Sequence, residues 1–524
     1  MRGFRFLFFW FYLFISLVGF AQSPDYSTME SDKQIAFSSM DYMEFVGHDD
    51  TSYYVIKHQQ SRYKIQRLNS ELNPVHEEFI SEWQNRKSYN LEYAVHFHNT
   101  IYVFFSRRGI FNNALYVQTI DKNTLLQDSD LEEIVFVEDI KGNYADFHFA
   151  LSRDETKLLV ASRIKLNLKN TQFNEFYVYG EGLNPVWDRK DIYEFERKGP
   201  RQNKYLVDDF GNVSILSLIR QSSLFTIASP IKDVYKIFRY TNNGTVFQEY
   251  PVLFENTYIR DIDIVADKEG GLVCVGLYSH LFPNGIRGSF FMRINARSGM
   301  TGQPKFHAFD KYMLEQLDAS KYYREAVIDN AELTSYYITG LLVRADGDII
   351  LITEQFYDQN FNTFNNLIIT RFSRDGYLNW QNVIRKRQDY PVNYLLTPEL
   401  TTIGKEVYDI ESYNYSPPIP KNLCSYALIA PLESKDIVIL FNDHIKNLDN
   451  NSKPKNFNNR KKSFLTAVHV SADGRMTDIA VRKAKGRRGV YPQPLDYYDK
   501  KNNEIIIPMY WGRRYKYLRV EFDI

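Results

Sequence analysis

Several apolar runs in this 524-residue chain end abruptly in charged or amide side chains: Arg107 and Arg108, Arg163, Arg220, Glu354 and Gln355, and Asn442, Asp443 and His444. If those runs are neighbouring strands, the residues form a ring at one end of them, able to hold a ligand by charge and hydrogen bonding. Solvated strand ends are the plain alternative. Carboxylates among such residues could also cleave glycosidic bonds, which takes two of them about 5 to 9 Å apart. Asp49, Asp208, Asp263, Glu354 and Asp443 are the candidates for that pairing. Basic residues crowd into Lys446, Lys453, Lys455, Arg460, Lys461 and Lys462, and again into Arg482, Lys483, Lys485, Arg487 and Arg488. Such runs favour an acidic partner, an anionic glycan or an acidic protein surface, with solvated loops as the alternative.

Specific catalytic signatures are missing. The chain has no Gly-x-Ser-x-Gly elbow, His-Glu-x-x-His pair, phosphate loop, Cys-x-x-Cys or Asp-rich calcium loop, and its ten histidines are scattered. No catalytic residue, cofactor or metal is therefore expected. The formal charge is zero, falling to −2 if Arg2 and Arg5 are removed, which argues against a globally nucleic-acid-binding protein. Cys274 and Cys424 sit in apolar, strand-like surroundings and read as buried free thiols, with a bridge between them as the alternative. A disulfide scaffold is excluded, so a large core must hold the fold, and 39 Tyr with 38 Phe supply material for it.

The first residues indicate export. Arg2 and Arg5 precede a nearly continuous apolar stretch from Phe6 to Phe20, with Gly19 and Ala21 at the −3 and −1 positions of a signal peptidase site. The run is shorter than the roughly 20 residues of a spanning helix. Residues 1–21 are expected to be a signal peptide, and Gln22 in place of a cysteine leaves no lipid anchor. No later stretch is long and apolar enough to span a membrane as a helix.

The elements that would position the ring recur eight times. An alternating strand leads into a polar turn at Tyr63–Asn69, Leu115–Asp121, Phe176–Gly182, Tyr235–Thr241, Phe290–Asn295, Ile368–Ser373, Phe464–Val470 and Tyr515–Val520. Upstream of each lies a more continuously apolar run, such as Val213–Ile219, Leu272–Leu277 or Ile437–Phe441, whose pattern suits a strand covered on both faces. Gly-containing turns such as Asp209-Phe210-Gly211-Asn212 and Ala472-Asp473-Gly474 punctuate the units. Four-stranded antiparallel units, here called A to D, at irregular spacings of roughly fifty to ninety residues predict an all-β chain. Residues 22–524 are read as a single β-propeller of eight blades, with seven as the alternative. The last unit stops after its third strand at Ile524, so the segment Lys33–Phe37 is expected to complete it and close the ring.

The A to B and C to D turns are short, whereas long segments fall at the B to C and D to A connections. Both of those emerge on one face of a propeller, which makes that face the expected binding face. The longest are residues 387–423, residues 444–463 and a helical insertion at about residues 310–331, read as a packing helix covering the channel mouth or, alternatively, a lid.

Residues from Ile349 to Ile524 carry a further pattern: Thr353-Glu354-Gln355, Trp380, Ile384, Lys386, Gln388, Ser425-Tyr426, Phe441-Asn442-Asp443-His444 and Asn447. In these the chain resembles uncharacterised exported β-propeller-like proteins of Bacteroidota, over about a third of its length, with Arg385 where that group often has Pro. The resemblance implies no agreed chemistry. It adds Lys386 and Gln388 to the binding-face candidates Arg107, Arg163, Arg220, Glu354, Gln355, Asn442, Asp443, His444, Lys461 and Lys462. It also implies a periplasmic location, associated with the outer membrane, because no C-terminal sorting domain follows the repeat. The expectation is a non-enzymatic propeller that docks its long-loop face onto another envelope protein, such as an outer-membrane translocon or transporter component. A carbohydrate-binding or carbohydrate-cleaving protein is the alternative.

Overall fold

The computed structural model describes residues 24–33, 35–36, 40–59, 62–109, 112–138, 145–165, 171–195, 202–221, 232–281, 283, 285–317, 332–358, 361–391, 409–410, 413–414, 425–447, 454–457, 462–483, 489–490, 497–499, 503–511 and 514–524. The expected signal peptide, Cys424, Lys461 and the side chain of Arg220 lie outside the described residues.

Eight antiparallel sheets of at least four strands make up the fold. In blade 1 the strands run Met40–His48, Ser52–Gln59, Arg62–Asn69 and Pro74–Ile80, paired in that order from the inside out. Blades 2 to 7 repeat the meander from inner strands Asn90–Phe97, Ala145–Leu151, Gln202–Val207, Tyr258–Ala266, Tyr336–Val343 and Ala427–Ile429. Blade 8 takes Tyr497–Asp499, Glu504–Trp511 and Arg514–Phe522 from the C-terminus. Every repeat of the sequence falls on a third strand, and every apolar run on a second strand. The second strands carry the continuous apolar runs because a sheet lies on either side of them. All eight residues of Leu272–Ser279 and of Ile437–His444 are buried.

Closure follows the expected route with a different main segment. Tyr26–Glu30 pairs antiparallel with the last strand, Tyr26 opposite Phe522 and Glu30 opposite Leu518, and Ile35–Ala36 extends the pairing opposite Tyr515 and Arg514. The expected segment Lys33–Phe37 thus supplies only the tail of the closing strand. Tyr26–Glu30 (YSTME) escaped notice because an outermost strand, open to water on one face, has little apolar alternation to display. The ring is complete: eight buried apolar clusters occupy the eight junctions between consecutive blades, and the last unites Met43 and Tyr53 of blade 1 with Ile506, Tyr515 and Tyr517 of blade 8.

On the face of the short turns, side chains from one blade reach backbone carbonyls in the turns of the next. Trp187 Nε1 donates to Gly211 O (2.8 Å), Tyr250 Oη to Gly299 O (2.8 Å), His307 Nε2 to Gly376 O (2.8 Å) and Trp380 Nε1 to Ala472 O (3.0 Å). Arg344 Nη2 lies within 2.7 to 2.9 Å of the carbonyls of Pro431, Ser434 and Asp436. The turns are shaped to admit these groups. Gly474 adopts φ +85°, and a Cβ there would stand 2.9 Å from the Trp380 indole; Gly244, at φ +72°, would meet Trp187 at 2.6 Å. Only glycine satisfies both the backbone and the approach. At the closing junction Arg519 of blade 8 donates to Tyr53 Oη (3.0 Å) and Ser70 O (2.7 Å) of blade 1 and pairs within its own blade with Glu504 (3.0 Å), while His48 faces Asp499 across the junction at 3.1 Å.

The insertion at residues 310–331 contains the helix Lys311–Leu317. Asp310 Oδ1 accepts the Met313 N–H at 2.6 Å, and Met313 and Leu317 are buried between blades 5 and 6 with Phe309, Leu333 and Val383. The helix lies against Leu378–Ile384, the outer strand of blade 6, and so packs near the rim rather than over the channel mouth. Its apolar stripe is short and finds a groove between two blades, where a span across the channel would leave it wet.

Candidate functional site

Most of the residues singled out between Thr353 and Asn447 converge at one place, the long-loop side of the junction between blades 6 and 7, whereas Trp380 belongs to the short-turn face. Glu354 leaves the second strand of blade 6, Ile349–Asp358, and is 2% exposed. Past the outer strand the chain turns back and Gln388–Pro391 pairs with the start of the third strand, Phe361–Phe372, which carries Lys386 and Gln388 inward. There the Lys386 ammonium donates to Glu354 Oε1 (2.5 Å) and Gln388 Oε1 (3.0 Å), with the Phe364 ring centroid at 5.9 Å. Blade 7 completes the set: Ser425 Oγ donates to Glu354 Oε2 (2.5 Å), Ser425 N to Gln388 Oε1 (2.7 Å), and Gln388 Nε2 to Asn442 O (2.8 Å). Asn366 Oδ1 accepts the Lys386 N–H at 3.3 Å.

This network continues toward the surface along the end of the strand Ile437–His444. Asp443 Oδ1 accepts from His444 N (2.7 Å) and Asn447 Nδ2 (2.6 Å). Burial pushes the Asp443 carboxyl up to about 6 despite those bonds. Asn447 then clamps the returning loop, donating to Lys455 O (2.9 Å) and accepting from Lys455 N (2.7 Å). Two residues on, Phe457 N donates to Arg387 O (2.8 Å), and the Phe457 ring is buried in the cluster that joins blades 8 and 1. One side-chain circuit therefore ties blade 6 to blade 7 and holds residues 454–457, with Phe457 seated at the junction of blades 8 and 1.

The chemistry of this arrangement is cohesive. Both Glu354 oxygens are occupied, the Lys386 amine is enclosed, and Gln355, Gln388 and Asn442 are buried beneath the face. A substrate arriving from solvent would meet instead the exposed Lys446, Lys455 and Lys462 that surround His444. The imidazole, largely buried, has its affinity for a proton lowered by desolvation and then by those three lysines.

The other candidates are scattered. Arg107 is half-buried on blade 2. Arg163 on blade 3 pairs with Asp146 at 3.1 Å. Of the carboxylates considered for sugar cleavage, Asp49 and Asp208 cap short turns: Asp49 accepts from Thr51 N and Ser52 N, and Asp208 from Phe210 N and Asn212 N. Asp263 is ion-paired with Lys204. None of the five is brought to another as an open pair. A different carboxylate couple was missed: Glu92 and Asp146, on the inner strands of blades 2 and 3. Burial raises the Glu92 carboxyl, opposed by the Ser106 hydroxyl that donates to it at 2.5 Å, and the negative charge of Asp146 adds to the rise. Both sit on short alternating strands and look, in sequence, like solvent-facing positions. Among the described residues no group of three or more His, Cys, Asp or Glu side chains is placed to hold a metal ion. Cys274 is a buried free thiol.

No protein-family model and no curated protein matches the sequence. Among solved structures, the chain is similar to prolyl oligopeptidase B from Galerina marginata at 10% identity and a TM-score of 0.41, over 90% of this chain and 55% of that one, so it spans about half of that enzyme. It is similar to the NanB sialidase from Streptococcus pneumoniae at 7% identity and a TM-score of 0.32, over 95% and 94% of the two chains. A family PL25 ulvan lyase matches at 9% identity and a TM-score of 0.35, over 93% and 95%. The propeller assignment stands on the eight closed blades described above.

Proposed function

We propose that this chain is a non-enzymatic, exported binding propeller that works in the periplasm and docks its long-loop face onto another cell-envelope protein, such as a component of an outer-membrane complex. The observation that carries this reading is the state of the strand-end residues at blades 6 and 7. Groups able to do chemistry are consumed in joining the two blades and holding residues 454–457, and what faces solvent beside them is the cationic surface of Lys446, Lys455 and Lys462. Such a surface recognises and does not react. The sequence expectation of export sets the compartment. Among the described residues no helix is long and apolar enough to cross a membrane. Purifying a tagged chain from native membranes tests the proposal: a stoichiometric envelope protein should co-purify, and recovery of the tagged chain alone at normal expression overturns it.

A second reading, a carbohydrate-active protein, rests on Glu92 and Asp146. A half-buried carboxyl with a raised affinity for its proton, near an exposed carboxylate paired with Arg163, is the division expected of an acid and a base. If it holds, the chain releases reducing ends from a polysaccharide and Glu92→Gln abolishes the release. No release across a glycan panel removes it.

A further inference from the structure

At the lysines near the end of blade 7 the backbone is held in place by specific hydrogen bonds and strand pairing. Lys446 N donates to His444 Nδ1 at 3.1 Å, which leaves the neutral ring's proton on Nε2 and holds Lys446 beside it in the single turn Ile445–Asn447. Lys455 is held by both atoms of the Asn447 amide. Lys462 immediately precedes Ser463, the residue paired with His444 across the sheet. The backbones of three lysines from separate stretches of chain are thereby held near one imidazole, whose affinity for a proton each of their charges lowers, and all three residues are exposed. Among the described residues none of the three has a carboxylate partner, whereas Lys57, Lys64, Lys204, Lys236 and Lys386 elsewhere all do. The carboxylate beside them, Asp443, is 6% exposed and turned to Asn447.

Like charges held together without counter-ions repel one another, and an arrangement that the fold enforces at that cost is complementary to a negatively charged surface. We propose that Lys446, Lys455 and Lys462 form the anchor of the docking face, and that the partner segment they take is an acidic polypeptide presenting clustered Asp or Glu side chains. This rests on the docking reading above. Lysines present point charges suited to separate carboxylates, and the one described aromatic ring of the loop, Phe457, is buried, so the described patch lacks the stacking platform that sugar rings use.

Poly-L-glutamate serves as the acidic-polypeptide probe and polygalacturonate as the acidic-glycan probe, with binding followed by fluorescence anisotropy across a salt series. The intact chain should bind poly-L-glutamate more tightly than polygalacturonate, with affinity falling steeply as salt rises. Replacing the three lysines by Gln should weaken poly-L-glutamate binding by about tenfold or more, while replacing them by Arg should preserve it. The Arg variant guards against misfolding as the cause of loss. Tighter binding of polygalacturonate, or equal binding of poly-L-glutamate by the Gln variant, overturns the proposal. Its failure is separable from that of the docking reading. A co-purifying envelope protein that survives the triple Gln change sinks the anchor alone, and absence of any co-purifying protein with poly-L-glutamate binding intact sinks the docking reading alone.

Discussion

On the short-turn face the indole, phenol and imidazole clasps from blade to blade end on backbone carbonyls, whereas between blades 6 and 7 on the long-loop face the side chains are linked chiefly to one another. The difference sets what each face tolerates. A carbonyl in a tight turn is placed by the backbone, so a clasp such as Trp380 to Ala472 O needs one correct side chain and a glycine nearby. Each clasp is worth about 1 kcal/mol and the others survive its loss. The circuit through Glu354, Lys386, Gln388, Ser425 and Asn442 has no such independence. It buries a full ion pair, which is stable only while every partner is present.

The strongest way to break this contrast is Lys386→Met. Removing the ammonium strands Glu354 at 2% exposure, and we expect a loss of about 3–5 kcal/mol in urea denaturation. The Glu354→Leu, Lys386→Met double variant should recover most of it, since no charge is then left unpaired. If the single variant loses under about 1 kcal/mol, the circuit is not cooperative. Next comes the turn face. Gly474→Ala forces φ +85° on a residue with a Cβ and drives it against Trp380, for an expected loss of about 1–3 kcal/mol, with Trp380→Phe costing about 1 kcal/mol through its hydrogen bond. Equal losses from Gly474→Ala and Lys386→Met would erase the distinction between the faces.

A smaller effect sharpens it. Asp443 titrates in the folded chain at about 6, above its ordinary value of 3.8, so the folded state holds its proton more tightly than the unfolded state. The stability this gives is complete below about pH 4 and is lost as pH rises through 6. Asp443→Asn should remove that decline and leave a stability profile flatter between pH 4 and 6 by on the order of 1 kcal/mol. An unchanged profile shows that Asp443 is not held in the dry end of the circuit.

Much of the fold was legible in the sequence. The second and third strands of every blade announce themselves because one is sandwiched and the other half-buried, and hydrophobic period reports burial directly. The closing strand Tyr26–Glu30 was not legible, since an edge strand is defined by its partner and not by its own pattern. The site shows the same limit. Lys386 reads as a loop lysine until the return of Gln388–Pro391 onto Phe361–Phe372 carries it inside. Residue identities showed that Glu354, Gln355 and Asn442 belong to polar strand ends, but solvent on one side or a neighbour on the other is a property of the assembled ring. Glu92 and Asp146 passed unnoticed for that reason too.

The central claim is that the long-loop face is the working face and the short-turn face is structural. Two triple variants with equal charge change test it: Lys446, Lys455 and Lys462 to Gln on one face, and Lys157, Lys268 and Lys435, in the A to B turns of blades 3, 5 and 7, to Gln on the other. Each tagged variant is purified from native membranes and the co-purifying envelope protein quantified. The long-loop variant should lose the partner and the short-turn variant should keep it. Loss from the short-turn variant with retention by the long-loop variant would contradict the account.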